Sequence, residues 1–454
     1  MNHENYDPDD RIAALATPWA ESAIAVIRTS GQGSIEVLSP LIKADLVNQE
    51  SRKMLYTTLK DPQSGESLDE IMIVPFRAPG SYTGQESVEL YCHGSLPGVQ
   101  KILNLLFRSG FRQASPGEFT FRAFIHGKMD LTRAEAVQEI ISSKTGKAQS
   151  LALNRLSGVL EKRINHFKDS ATGMAALFAI QLDYPDDEVE SPPLPLKEIE
   201  EIKNGLKELI DSYRVGKIYQ EGVVIVLAGR TNVGKSSLFN LFLKEDRSIV
   251  SDVHGTTRDY LESWISLGGI PVRLYDTAGL RKFEDSVEEE GIRRTREVME
   301  NAHILIYVLD GSIDLSEEEE EMLAQSHPEG KGKRVVVWNK ADLSQNRAPA
   351  GAIPVSAVTG QGFTELEDAL RLQIFADTSQ IGAEAVVDSL RQKELLERAF
   401  AGVVKVEEAI HNGLPVDVLA MDLHDVLQAL GEITGEVSSS DILERMFSNF
   451  CVGK

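Results

Sequence analysis

Gly229-Arg230-Thr231-Asn232-Val233-Gly234-Lys235-Ser236 carries the spacing GxxxxGK[ST]. Glycines let such a loop wrap tightly, and its N–H groups converge on an anion at the start of the following helix. The lysine reaches the β- and γ-phosphates of a nucleoside triphosphate, and the serine hydroxyl suits Mg²⁺. The apolar run 223–228 reads as a strand and 236–242 as a helix, which is the context this motif needs. Asn232, Val233, Gly234, Lys235, Ser236 and Ser237 are the candidate phosphate-binding residues.

Four further signals follow in order. Gly255-Thr256-Thr257-Arg258 can give a threonine hydroxyl to Mg²⁺ and sense the γ-phosphate; Ser251, Asp252, Val253 and His254 lead into it as further candidate contacts. Asp276-Thr277-Ala278-Gly279 follows the apolar run 272–275: its carboxylate can hold Mg²⁺ through water, and its glycine N–H can bond the γ-phosphate. Asn339-Lys340-Ala341-Asp342 follows the run 335–338. The Asp342 carboxylate can accept from the N1 and N2 hydrogens of guanine, a donor pair adenine lacks. Ser356-Ala357, after 353–355, can close over guanine O6. Each signal alone is weak. Five in order, each after a strand where one is expected, predict GTP rather than ATP. Leu280 stands where Ras-like proteins carry the glutamine that orients the attacking water. Hydrolysis then needs another polar group, for which the acid-rich segment 283–290 is the candidate, and another source of positive charge.

The elements that must hold these residues read as follows. Between 222 and 375, strands at 223–228, 272–275, 304–309 and 335–338 alternate with helices at 236–242 and 366–374, which predicts a mostly parallel, doubly wound sheet. The first ~125 residues mix short strands at 12–15, 23–28, 71–76 and 88–92 with a helix at 99–107, a small α+β domain. Helical periodicity runs from Asp130 to about Asp183, with Thr132 and Glu135 as an expected capping box. A second amphipathic helix covers 199–213. Helices return after about 382, one of them at 418–430, and Ser440 is the expected N-cap of the last. Helices thus flank the α/β unit on both sides in sequence, predicting a helical domain with an α/β domain inserted into it. The expected domains are 1–126, then 127–219 with 379–454, then 220–378.

Composition narrows the class. With 454 residues, 42% hydrophobic and 26% charged, the chain reads as about three globular domains. Two cysteines cannot build a disulfide framework, the polar start is unlike a signal peptide, and no apolar run approaches the ~20 residues of a membrane span. These predict a soluble, cytoplasmic protein without a membrane role. Forty-seven basic against 70 acidic residues give a net charge of −23, which argues against broad electrostatic binding of nucleic acid. The acidic runs 186–188 and 317–321 read as solvated surface.

The chain resembles the bacterial tRNA uridine-modification GTPases of the MnmE (TrmE) family over essentially its whole length. The resemblance rests on Ala16-Thr17-Pro18, Val26-Ile27-Arg28-Thr29-Ser30-Gly31, Ser81-Tyr82-Thr83-Gly84, Glu89-Leu90, His93-Gly94 and Pro116-Gly117-Glu118-Phe119. Arg122-Ala123-Phe124, Gly127-Lys128-Met129-Asp130-Leu131 and the tail Phe450-Cys451-Val452-Gly453-Lys454 extend it. At 19–23 the chain departs, with Ala20 and Ser22 where relatives carry glycines.

The resemblance implies an N-terminal tetrahydrofolate-binding and dimerisation domain, a discontinuous α-helical domain and an inserted P-loop GTPase domain. It implies a homodimer that works with an MnmG (GidA) flavoprotein in a heterotetramer, FAD entering only through that partner. The substrate would be the wobble uridine of certain tRNAs, given a 5-carboxymethylaminomethyl or 5-aminomethyl group from a 5-formyl- or 5,10-methylene-tetrahydrofolate. By position, Arg28, Glu89, Lys128 and Lys454 match the folate contacts. Asn232, Ser251, Val253 and Thr256 match a K⁺ site, Ser236 and Thr257 the Mg²⁺ ligands, and Glu288 the catalytic glutamate. Cys451 is a possible auxiliary group. Plain readings stand beside these: Cys451 as a packed hydrophobe, Lys454 as a frayed tail, Glu288 as a solvated acid and Arg28 as a surface charge. A ribosome-assembly or RNA-binding GTPase switch shares the nucleotide signals and the missing glutamine. That class would add a second G domain or an RNA-binding module, whereas this chain has one phosphate loop and no GxxG clamp in a basic setting.

Overall fold

The computed structural model describes residues 7, 10–183, 194–245, 262–276, 302–324, 333–344, 346–376, 385–437, 443, 446–448 and 450–453. The chain forms two compact units, one from residues 1–141, 155–195 and 402–454, the other from 142–154 and 196–401. The two units therefore interleave in sequence, the second contributing a short segment and then a long one. Among the described residues, no helix is long and apolar enough to cross a membrane.

The first unit is built on a six-stranded sheet of order β3-β4-β5-β2-β1-β6. Its strands are β1 Ile12–Leu15, β2 Ser22–Ser30, β3 Leu55–Lys60, β4 Ser67–Phe76, β5 Ser87–Gly94 and β6 Arg112–Gln113. All pairings are antiparallel except β1 with β6. Because side chains alternate between faces, Ala25 and Ile27 of β2, Leu59 of β3, Ile71 and Ile73 of β4 and Leu90 of β5 share one core with Val99, Ile102 and Leu106 of helix Leu96–Arg108. The opposite face carries Tyr56, Met72, Tyr91 and Val26, aligned across four strands. Strand β3 was not legible as a strand: Thr57 is a buried polar residue that interrupts its apolar alternation.

Helices Leu131–Ser142, Gly146–Leu156 and Val159–Asp183 replace the single periodic stretch expected from 130 to 183. The chain leaves the helix at Ser143-Lys144 and again at Ser157-Gly158, where Gly158 takes φ 87°. The expected Thr132 cap is corrected: Asp130 accepts from Arg133 N at 3.0 Å and from Thr132 Oγ1 at 2.8 Å, so Asp130 caps the helix. Burial lifts the Asp130 carboxyl to about 6 in spite of those bonds. Helix Val159–Asp183 buries Leu160, Ile164, Phe167, Ala171, Met174 and Phe178 at alternating spacings of four and three. It packs on helix Val416–Thr434, which buries Leu419, Leu423, Val426, Leu430 and Ile433 in the same rhythm. The Ser440 cap lies outside the described residues.

The second unit holds a six-stranded sheet of order β12-β11-β10-β7-β9-β8. Its strands are β7 Val223–Ala228, β8 Glu262–Leu267, β9 Ile270–Asp276, β10 Ile304–Asp310, β11 Lys333–Asn339 and β12 Ile353–Pro354. All run parallel except β8, an antiparallel edge strand absent from the sequence reading. Strand β7 sits between β9 and β10, so the strand order reverses at its carboxyl end, where ligands bind in such sheets. Helices Lys235–Glu245 and Phe363–Phe375 close the core, with Phe242 and Phe363 in edge contact.

In the first unit, Glu118 and Arg122 are fully buried one helical turn apart, 2.9 Å from each other. Glu118 also accepts two bonds from Arg112 of β6, and Arg122 donates to Asp10 O and Gln85 Oε1. Burial raises the Glu118 carboxyl, but the Arg112 bonds, Ser115 N–H and Arg122 charge outweigh it and leave it below its ordinary value. A depressed carboxyl stabilises the fold above its unfolded value of about 4.3 and loses that contribution as pH falls through the folded value. Glu118→Ala should cost ~3–5 kcal/mol at pH 7, as removal of one partner of a buried pair does. The measurement is hydrogen exchange of the β1 and β6 amides: faster exchange is expected in the variant at pH 7, with the gap to the parent narrowing below about pH 4.

Candidate active site

The phosphate loop leaves β7 at Ala228 and enters helix Lys235–Glu245. Gly229, Asn232 and Gly234 adopt positive φ of 138°, 66° and 97°, the left-handed turns that let a short loop wrap tightly. Gly234 has a second reason to be glycine: a Cβ there would lie 2.2 Å from Asn339 Nδ2. Lys235 is 6% exposed, and its ammonium donates to Gly229 O at 2.9 Å and Arg230 O at 2.6 Å, folded into the loop it serves. Ser236 and Ser237 stand exposed at the helix start.

Ser236 Oγ donates to Asp276 Oδ2 at 2.8 Å. The phosphate-loop serine and the aspartate ending β9, 40 residues apart in sequence, thus share one point. A hydroxyl and a carboxylate are hard oxygen donors, which suits Mg²⁺. Asn339 ends β11 and is 1% exposed. Its Nδ2 donates to Val233 O at 2.8 Å, and its Oδ1 accepts from Ala357 N at 3.1 Å. Lys340 turns through φ 59°, after which Asp342 is exposed, its carboxylate available to an edge such as that of guanine. Ser356 is fully buried and its Oγ accepts from Thr359 N, fixing the loop that carries Ala357.

Ser251, Asp252, Val253, His254, Gly255, Thr256, Thr257, Thr277, Ala278, Gly279, Leu280 and Glu288 lie outside the described residues, as does Lys454. The structure adds two groups that sequence reasoning passed over. Asp310, ending β10, holds the Lys340 ammonium. Glu319 is not solvated surface like its acidic neighbours: it is 4% exposed, forms a capping box with Ser316 and lies 3.7 Å from Arg230 of the phosphate loop. The SxxE spacing at 316–319 was the available signal for it.

A second candidate site lies in the first unit. Antiparallel register places Arg28 of β2 directly opposite Glu89 of β5. Their side chains meet at 2.9 Å, 18% and 15% exposed. Arg28 also donates to Gly453 O at 3.3 Å and lies within 6 Å of the Tyr82 and Phe119 rings. Tyr91 shares the Glu89 face by strand alternation and donates to Glu89 at 2.8 Å; burial, then Glu89, push its hydroxyl up to about 12. Lys128 is not in this cluster: its ammonium donates to Pro79 O at 2.9 Å. Tyr82 and Tyr91 were not among the expected contacts, although Tyr91 was detectable as two residues after Glu89 on one strand. Cys451 is exposed and lines a cavity of about 630 Å³ with Leu15, Trp19, Leu103 and Phe107. Cys92, by contrast, is buried, and burial raises its thiol to about 11. Among the described residues, no group of three or more His, Cys, Asp or Glu could hold a metal.

A strand, a glycine-bearing loop and a helix at the switch point of a mostly parallel sheet mark the sheet of the second unit as a P-loop GTP-binding fold. The comparisons with known proteins carry this to a family. A family model described as GTP-binding protein TrmE N-terminus matches residues 11–128, and one described as MnmE helical domain matches 131–451. Similar curated proteins include the tRNA modification GTPase MnmE of Carboxydothermus hydrogenoformans, 40% identical over 98% of this chain and 100% of that one. Those of Borreliella burgdorferi (42%, 99% of both chains) and Treponema denticola (40%, 100% of both) are alike. The chain belongs to the MnmE family of tRNA modification GTPases.

Asn339→Ala removes the amide that joins three loops and leaves Val233 O and Ala357 N without their partner. Unmade buried bonds of this kind cost about 1–3 kcal/mol each. Guanosine diphosphate affinity should fall at least about tenfold, one decade per 1.4 kcal/mol, in equilibrium titration; unaltered affinity would contradict the bridging role.

Proposed function

We propose that this chain is the GTP-hydrolysing component of a cytoplasmic complex that modifies C5 of the wobble uridine of tRNA, installing a carboxymethylaminomethyl or aminomethyl group. The observation that carries the nucleotide part is the meeting of Lys235, Ser236, Asp276, Asn339 and Ser356-Ala357 at one sheet edge, with Asp342 exposed beside them. Membership of the family supports the tRNA part.

In this reading Lys235 leaves the loop carbonyls to neutralise the β- and γ-phosphates, while the loop N–H groups hold them in place. Ser236 and Thr257 are the Mg²⁺ ligands, with Asp276 acting through water. Bound there, Mg²⁺ would neutralise the negative charge of the phosphates. Leu280 cannot orient water, so Glu288 does so, directly or through a second water. Asn232, Ser251, Val253 and Thr256 are the K⁺ ligands; a bound K⁺ supplies the positive charge an arginine finger would. Asn232 is exposed at a left-handed turn of the loop (φ 66°), which is compatible with that task.

The domains in this reading are 1–126, 127–219 with 379–454, and 220–378. The first binds a 5-formyl- or 5,10-methylene-tetrahydrofolate through Arg28 and Glu89, joined from beyond residue 126 by Lys454 and by Lys128, which leaves the Pro79 carbonyl to reach the ligand. The donor set fits a pterin: a carboxylate for its amino and N–H groups, a guanidinium, and the flat rings of Tyr82 and Phe119 close to that guanidinium. The folate supplies the one-carbon unit. The same domain pairs two copies of the chain, a reading supported by the outward ladder of Tyr56, 66% exposed, and Met72, 36% exposed. A net charge of −23 opposes tight binding of a polyanion by this chain alone. An MnmG-type flavoprotein, bringing FAD, therefore provides most of the phosphate contacts in a heterotetramer.

Turnover of GTP should be much faster in KCl than in NaCl at matched ionic strength; equal rates would contradict the cation's role. Glu288→Ala should lower kcat by about 10²–10⁴, the worth of positioned acid–base groups, and leave GTP affinity nearly unchanged, the pattern of an interaction made in the transition state. Steady-state phosphate release reads both.

A further inference from the structure

We propose that Asp310 is a positioning residue of the guanine pocket, acting through Lys340. The inference rests on the GTP reading above and adds a residue to it. Strands β10 and β11 end level with each other: Asp310 is in register with Asn339, and Gly311 N donates to Asn339 O at 2.7 Å. The Asp310 carboxylate therefore stands beside the first residue of the guanine-reading segment. It is 9% exposed, and both its oxygens are engaged. Oδ2 accepts from Lys340 Nζ at 2.5 Å, and Oδ1 accepts from Ser312 N at 3.0 Å and Ser312 Oγ at 2.6 Å. Burial raises this carboxyl, but the Lys340 and Ser312 bonds outweigh it and hold it below its ordinary value.

Lys340 occupies a backbone region that side-chain-bearing residues rarely adopt. That turn separates two tasks: Asn339 points back to the phosphate loop, while Asp342 emerges exposed two residues after the turn. The lysine between them has a long stem and would, if unpaired, carry its ammonium into water. Tied to Asp310 at its far end, the stem is held along one line. Four methylenes held this way make an apolar strip, which suits the flat face of a purine whose polar edge Asp342 reads. Asp310 touches no part of the base; it fixes the strip and neutralises its charge.

The obvious alternative is that Asp310 only shapes the turn through Ser312. A double-mutant cycle separates the two. Dissociation constants for N-methylanthraniloyl-GDP are measured for the parent, Asp310→Asn, Lys340→Ala, the double variant and Ser312→Ala. Asp310→Asn is isosteric and keeps an oxygen for Ser312, so the turn persists. We expect Asp310→Asn to weaken binding about tenfold in the parent but less than about twofold in the Lys340→Ala background. Competition by inosine diphosphate, which lacks the 2-amino group, should give the same GDP preference in Asp310→Asn as in the parent, because the Asp342 bonds are untouched. The same loss in both backgrounds, an unaltered GDP affinity in Asp310→Asn, or an equal loss in Ser312→Ala would each overturn the inference. A parent protein that does not bind the GDP probe would overturn the GTP reading itself, visible before any variant is compared.

Discussion

The nucleotide site depends on one side-chain amide. Asn339 is buried at the end of β11, and its carboxamide is spent on two backbones, the Val233 carbonyl and the Ala357 N–H. A buried amide must find such partners, because leaving them unmade costs more than the bonds gain. This requirement draws the loop after β7, the segment after β11 and the loop after β12 to a single point. It also dictates Gly234, whose missing Cβ leaves room for Nδ2. The parallel sheet makes the meeting feasible by ending β7, β10 and β11 at one edge, with the order reversing at β7.

The first unit solves a different problem by different means. Its candidate ligand residues come from strand register rather than loop geometry: Arg28 and Glu89 face each other because β2 and β5 are antiparallel in that register, and Tyr91 joins them because side chains repeat every second residue. Rings of Tyr82 and Phe119 and the Gly453 carbonyl complete the surroundings of the guanidinium. The chain's last segment thereby returns to a strand near its beginning, a contact of sequence separation 425. The buried Glu118–Arg122 pair, tied to Arg112 and the Asp10 backbone, holds β6 and the following helix in the geometry this return requires.

The parts legible in sequence were those whose signal is local. The phosphate loop, the Asp276 and Asn339 segments and the strands before them are short patterns of type and spacing, and β1, β7, β10 and β11 are apolar runs. Strand β8 also has a local signal: Gly268-Gly269, with φ of 58° and 91°, is a two-residue hairpin turn between Leu267 and Ile270. Other features depend on distant partners. Glu319 is buried within an acidic run that reads as solvated, and Asp310 gains its partner only when β10 and β11 align. Asp130 displaced Thr132 as helix cap because the threonine hydroxyl is itself engaged by the aspartate, a competition invisible in spacing alone.

The central claim is that nucleotide turnover at this site drives tRNA modification. Mass spectrometry of wobble nucleosides tests it most directly, in tRNA from a strain deleted for this gene and supplied with either the parent sequence or Lys235→Ala. The account predicts 5-carboxymethylaminomethyl- or 5-aminomethyl-type wobble uridines with the parent and unmodified uridine with the variant. Full modification with Lys235→Ala, or in the deletion strain itself, would contradict it.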